Sequence, residues 1–271
     1  MLGIFESHAH FDDEAFDGDR EELISSLPLN GIEYVINVGS NLKTSKKSLD
    51  FADKYPFIYA AVGAHPDDVR NLDDAKITRI RQLAKNEKCV AIGEVGLDYH
   101  YENDDETKYL QAKYFKAQLD IAKEEKLPVI VHSRDAANDN LTIMKEYPSL
   151  GGVIHCFSYS LEIALEYIKM GYHIGVGGAV TFKNSKKLCH VVENIPLEKI
   201  LLETDCPYMA PVPFRGKRNS SLYLPYVVQK IAEIKDVSPQ TVIEVTNKNA
   251  REVFFKKDRI IKELNHLKGN R

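Results

Sequence analysis

The sequence predicts a single (β/α)8 TIM barrel, an α/β fold whose reactive groups gather at the C-terminal face of the strands. Three observations carry this. The chain has 271 residues, close to the roughly 250 typical of one such barrel. Eight short apolar or β-branched runs alternate with longer segments whose apolar residues recur every three or four positions, which is strand followed by helix. Histidines or carboxylates also end five of those runs, where a barrel brings them to one mouth. An open doubly wound sheet shares the alternation, but so many different reactive strand ends favour the closed form.

In chain order the predicted strands are Ile4–Ser7, Tyr34–Val38, Ile58–Val62, Val90–Glu94, Val129–His132, Val153–His155, His173–Val176 and Ile200–Glu203. Helical spacing between them is clearest in Tyr109, Leu110, Ala112, Ala117, Leu119, Ile121 and Ala122, and again in Ile163, Leu165, Ile168 and Met170. Two further helices are predicted at Leu222–Ile234 and Pro239–Phe255, the second opened by Ser238 as N-cap and Pro239 as first helical residue. No low-complexity tract or Pro/Gly-rich hinge interrupts the pattern. Residues 1–257 therefore read as one domain, and the charged tail, 258–271, is expected to fray.

Composition narrows the function classes. Hydrophobic residues make up 44% and charged residues 28%, ordinary globular values. The net charge of -4 argues against a wholly basic nucleic-acid coat but leaves room for a local basic patch. Cys89, Cys156, Cys189 and Cys206 form no Cys-x-x-Cys pair, so free thiols in a reducing compartment are expected. The amino-terminal stretch turns polar by residue 6, and no apolar run approaches the roughly 18 residues of a membrane span. The expectation is a cytoplasmic protein without a membrane partner.

The chemistry is read strand by strand. His8 and His10 end the first strand. Alternation turns both to one side, where two imidazoles can chelate one cation. Glu94 ends the fourth strand between Gly93 and Val95-Gly96; its two oxygens can bridge two cations, and neighbouring glycines suit a close approach. His132 and His155 stand at the same point of the fifth and sixth strands. Cys156 rivals His155 as a ligand, but alternation turns it away, so it is assigned to the core. Glu203 and Asp205 share a face after the last strand. Asp205 lies nearer the mouth, as ligand and general base. Glu203 lies deeper, where it would orient a ligand imidazole from behind. Four imidazoles and two carboxylates exceed what one tetrahedral ion needs, so two divalent cations are expected. Zinc, manganese, magnesium or a similar ion would serve, and the nitrogen-rich donor set argues against calcium.

In the segments SHAHFD, VGAHP, IGEVGLDY, VHSRDA, IHCFS, LETDCPYMAP and FRGKRN the chain resembles the TatD family of metal-dependent hydrolases and deoxyribonucleases, over nearly its whole length. The resemblance implies that His8, His10, Glu94 and Asp205 hold one metal and that Glu94, His132 and His155 hold the other. It implies phosphodiester or related ester substrates, DNA foremost, and places His65 near the bound phosphate or leaving group. In one place the chain departs from the family: Ser220-Ser221 follow Asn219 where Glu-Pro is usual.

The remaining assignments concern substrate. Three cations within Arg215–Arg218 border the last strand, where barrels often bind phosphate. Lys217, Arg218 and Asn219 are assigned to the substrate backbone, with Arg134 as partner. Tyr99–Tyr101 are read as rim packing in preference to base stacking, and His100, His173, His190 and His266 as structural or exposed. The expected activity is hydrolysis of DNA or another phosphate-bearing substrate by a metal-activated water. The rivals are hydrolysis of another ester or amide, such as an aminoacyl-RNA ester, and metal-dependent binding without turnover.

Overall fold

A computed structural model describes residues 3–101, 104–148 and 150–255. The tail from 258 and His266 lie outside the described residues. Eight strands run parallel in chain order: β1 (Ile4–Ala9), β2 (Ile32–Val38), β3 (Ile58–Val62), β4 (Cys89–Asp98), β5 (Val129–Arg134), β6 (Gly152–Ile154), β7 (Tyr172–Val176) and β8 (Ile200–Leu202). The barrel is closed by its mouth residues. Asp205 N–H donates to His8 O at 2.9 Å and His10 N–H to Cys206 O at 2.9 Å, forming a parallel bridge just past β8. Deeper in the seam, Ser7 Oγ donates to Leu202 O at 2.9 Å.

The helices are α1 (Arg20–Ser26), α2 (Leu42–Lys54), α3 (Asp74–Leu83), α4 (Asp105–Glu125), α5 (Ala137–Lys145), α6 (Leu161–Lys169), α7 (Lys186–Asn194), α8 (Leu224–Lys235) and α9 (Pro239–Phe254). Their ends follow local chemistry. Asn41 and Thr44 form a reciprocal capping box on α2, satisfying two otherwise orphaned groups. Ser238 accepts from Thr241 N–H and Pro239 opens α9, as the sequence suggested. Helix α9 stoppers the amino-terminal end of the barrel: Ala250, Val253 and Phe254 pack with Phe5, Ile36, Ala61, Ile130, Val153 and Leu201. The opposite end is left for chemistry. Among the described residues no helix is long and apolar enough to cross a membrane.

Two strands depart from simple alternation, and both departures serve the mouth. Phe5 lies in the inner cluster, whereas Ile4 and Ala9 face the helices. A register shift between Glu6 and Ala9 lets β1 turn both Phe5 and His8 inward. Strand β4 shifts register between Ile92 and Val95, around Glu94. It also continues well beyond the predicted Val90–Glu94, because Gly96, Leu97 and Asp98 stay paired with His132, Ser133 and Arg134 of β5. Conversely, β6 and β8 stop one residue short, leaving His155 and Glu203 just outside the ladder.

Candidate metal centre

His8, His10, Glu94 and Asp205 converge from β1, β4 and the end of β8. His8 Nε2 lies 3.0 Å from His10 Nε2, 3.5 Å from Glu94 Oε2 and 3.7 Å from Asp205 Oδ1. His10 Nε2 lies 3.6 Å from Glu94 Oε2 and 3.5 Å from Asp205 Oδ1. Donors about 2.0–2.1 Å from a tetrahedral cation stand about 3.3 Å from one another. The spacing therefore fits one cation among these four atoms.

The other oxygen of Glu94 faces a second set. Oε1 lies 2.6 Å from His155 Nε2 and 2.9 Å from His132 Nδ1, and those two nitrogens are 3.2 Å apart. One buried carboxylate thus presents Oε2 to His8 and His10 and Oε1 to His132 and His155. The His8 and His155 rings stack at 4.1 Å between the two sets. No cysteine joins these clusters among the described residues. Nitrogen donors from neutral imidazoles with bridging carboxylate oxygen form a donor set suited to a pair of transition-type divalent ions.

Asp98 completes the arrangement and was not singled out from the sequence. Its Oδ2 lies 2.8 Å from His132 Nε2. With that nitrogen donating to Asp98, Nδ1 is left as the acceptor that a cation requires. Glu94 and Asp98 are an even four residues apart on one strand, a spacing that could have placed both on one face.

Burial and neighbouring carboxylates set the electrostatics of these imidazoles. Burial lowers His8 to about 4 and His65 to about 3. Burial also opposes charge on His10 and His132, yet both are raised to about 9, by Asp205 with Glu94 and by Asp98 with Glu94. Against burial, the charge of His155 and hydrogen bonds from His132 and His155 hold Glu94 well below the usual carboxylate range. A cation held here would need both imidazoles neutral, so its binding would release protons.

Other expected residues take different places. Glu203 makes no hydrogen bond to an imidazole among the described residues: its Oε1 accepts from Cys156 N–H at 2.5 Å, the residue after His155, and its Oε2 has no hydrogen-bond partner there. It therefore acts on the turn that carries His155. Burial raises its carboxyl to about 8. Cys156 is half-buried, with φ 45°, and lies off the core. His65 Nε2 comes within 3.6 Å of Glu94 Oε1 and its ring meets His132 edge-on at 4.4 Å, so it borders the second donor set.

The basic loop is tied to the barrel through two of its residues. Arg218 makes a bidentate pair with Asp19 at 2.6 Å and donates to Ala15 O at 2.9 Å, so its planar fork already has partners. Asn219 is fully buried. Its amide donates to Thr204 O and Tyr208 O and its oxygen accepts from Ser220 N–H, so it holds the loop and has no donor left for substrate. Lys217 stays exposed, and Arg134 lies over the Tyr101 ring at 4.9 Å. Tyr99 packs on the core as expected, but Tyr101 is 73% exposed. His100 pairs with Asp135 at 2.9 Å, His190 is exposed and His173 is buried.

Ser221 has a use the sequence did not reveal. Its hydroxyl donates to Glu6 Oε2 at 2.9 Å. Glu6, buried in the β1–β8 seam, also accepts from Thr204 Oγ1 at 2.7 Å, Thr204 N–H at 2.9 Å and His8 N–H at 3.1 Å. The Ser220-Ser221 departure therefore bears on the barrel seam behind His8.

Comparison with known proteins identifies the family and the fold. The family described as TatD related DNase matches residues 5–255. An uncharacterized metal-dependent hydrolase of Bacillus subtilis, YabD, is 42% identical over 253 residues, covering 93% of this chain and 98% of the relative. The 3'-5' ssDNA/RNA exonuclease TatD of Salmonella typhimurium is 32% identical, covering 93% of this chain and 98% of the relative. The crystal structure of YJJV, a TatD homologue from Escherichia coli, superposes with a TM-score of 0.87 at 30% identity, over 94% of this chain and 99% of that one.

Proposed function

The chain belongs to the TatD family of metal-dependent hydrolases, and from that premise we propose that it is a two-cation phosphodiesterase acting on DNA. The observation that carries the reading is the division of Glu94, with Oε2 toward His8 and His10 and Oε1 toward His132 and His155. A carboxylate shared in this way serves two cations; one cation would leave a complete donor set idle. When bound, the pair supplies a water of lowered pKa and neutralises charge developing on phosphoryl oxygens.

The chain's own groups do the rest. Asp205 turns Oδ1 to the His8 and His10 nitrogens, and at 18% side-chain exposure it is the most open of the six donors, against 15% for His132 and 12% for His10. It is the residue best placed to take a proton from the attacking water. Asp98 keeps His132 in one tautomer. His65, neutral at physiological pH because of burial, borders the second donor set and can donate a hydrogen bond to a phosphoryl oxygen. Lys217 on the exposed loop supplies attraction for a phosphate chain without reading bases.

The name of the Salmonella relative supports a nucleic-acid substrate. The test is a panel of single-stranded DNA, duplex DNA, RNA, a small phosphodiester, a phosphomonoester and a carboxylic ester, offered to metal-stripped protein refilled with one ion at a time. Turnover of DNA and the small phosphodiester is expected, with little on the carboxylic ester. Turnover confined to the carboxylic ester would transfer the assignment to another ester hydrolase.

A further inference from the structure

Tyr101 is 73% exposed at the rim, just beyond the strand that carries Glu94 and Asp98. A single exposed aromatic needs no explanation in general. This one is different in its setting. The Arg134 guanidinium lies over the ring at 4.9 Å and the His100 ring meets it edge-on at 4.6 Å, yet most of the residue stays in solvent. Arg134 ends β5, two residues after His132. The two loops are laced together: Tyr99 N–H donates to Arg134 O at 3.0 Å, His100 N–H to Asp98 Oδ1 at 2.8 Å, and His100 pairs with Asp135 at 2.9 Å. The same Asp98 that orients His132 thus anchors the turn presenting Tyr101.

We infer that Tyr101 and Arg134 form a stacking platform for an unpaired nucleobase beside the metal centre. This deepens the phosphodiesterase reading and rests on it. A tyrosine ring stacks on any base, and an arginine can lie flat on an aromatic while its outer N–H groups reach a phosphate. A base held in a duplex has both faces covered by its neighbours and cannot use the platform without unstacking. The platform therefore favours a frayed or single-stranded end over the interior of a duplex.

The test reads binding without turnover. Metal-stripped protein is titrated against a short fluorescent oligothymidylate and against an abasic strand of equal length, by anisotropy. Wild type is expected to prefer the base-bearing strand about tenfold. Tyr101→Ala should bring that preference below about twofold, and Tyr101→Phe should restore it. Tyr109→Ala, on the exposed face of α4, should leave it as in wild type. Arg134→Ala should weaken both strands and flatten the salt dependence by about 0.7 in slope. Equal binding of the two strands by wild type, no binding of either, or a full preference retained by Tyr101→Ala would overturn the platform, whatever the loaded enzyme hydrolyses. A loaded enzyme that cleaves no phosphodiester would overturn the functional reading, and with it the platform as a substrate site.

Discussion

Asp98 Oδ2 lies 2.8 Å from His132 Nε2, on the side of the imidazole away from Glu94 Oε1, which lies 2.9 Å from Nδ1. The ring is clamped between two carboxylates, one facing the donor set and one behind it. Removing the rear carboxylate leaves all six donors in place but frees the tautomer and rotation of His132. Asp98→Ala is therefore expected to lower metal affinity about 10–100-fold, read by competition with a chelator. An affinity within twofold of wild type would mean that His132 needs no such support.

Glu94→Gln tests the bridge. A glutamine offers one good acceptor oxygen, and its NH2 would point at the other donor set. Metal content after dialysis at saturating ion should fall from two per chain to one or fewer, by elemental analysis. Two ions per chain in the variant would show that the two sets fill without a shared carboxylate.

Asp205→Asn separates chemistry from folding. Asp205 has φ 57°, a left-handed conformation that asparagine tolerates well and alanine less so. The asparagine keeps one acceptor oxygen but cannot take a proton. Turnover should fall about 10²-fold or more, while the metal-stripped protein melts near wild type. Asp205→Ala should melt lower than Asp205→Asn, because it adds backbone strain of about 1 kcal/mol. Wild-type turnover in Asp205→Asn at saturating metal would move the base elsewhere.

These residues differ in how legible they were. His8, His10, Glu94, His132, His155 and Asp205 follow from strand ends, because barrel topology alone brings strand ends together. The register shifts in β1 and β4 were not legible; alternation reached the correct face for His8 and His10 without revealing that Phe5 also turns inward. Asp98 was hidden because β4 was read as ending at Glu94, and only pairing with β5 keeps a glycine-containing segment extended to residue 98. The partners of Arg218 and Asn219 are hidden for another reason. The partner of Arg218, Asp19, is 199 positions away, and no local pattern reveals which cation in a basic run is already paired.

Glu6 gives a pH dependence whose sign can be stated. Burial raises its carboxyl from 4.5 to about 7. The folded chain therefore holds a proton that the unfolded chain releases. The group's full contribution to stability is present below pH 4.5 and is lost as pH rises through about 7, on the order of 3 kcal/mol in total. Glu6→Gln keeps the shape, because the hydroxyls of Thr204 and Ser221 can turn to accept from its amide. Metal-stripped wild type should lose stability relative to Glu6→Gln between pH 5 and 8, in paired melts. Parallel curves across that range would show that the seam ionises freely.

The loop after β8 now divides into structural and substrate-facing parts, and salt dependence distinguishes them. Arg218 is partly exposed and paired to Asp19, an arrangement worth about 0.2–1 kcal/mol. Arg218→Ala should lower the melting temperature by no more than about 2–4 °C and leave the salt slope of DNA binding unchanged. Asn219→Ala strands the buried Thr204 O and frees the partly buried Tyr208 O, at a cost of about 2 kcal/mol, and should loosen the turn holding Asp205. Lys217 is exposed and unlike Arg218 is free to meet a phosphate. Lys217→Ala should leave melting unchanged, weaken binding to all sequences alike and flatten the salt slope by about 0.7 on a single strand. Three variants measured by anisotropy across a salt series decide the matter. If Arg218→Ala flattens the slope and Lys217→Ala does not, the Asp19 pair opens to substrate and the arginine is the phosphate contact after all.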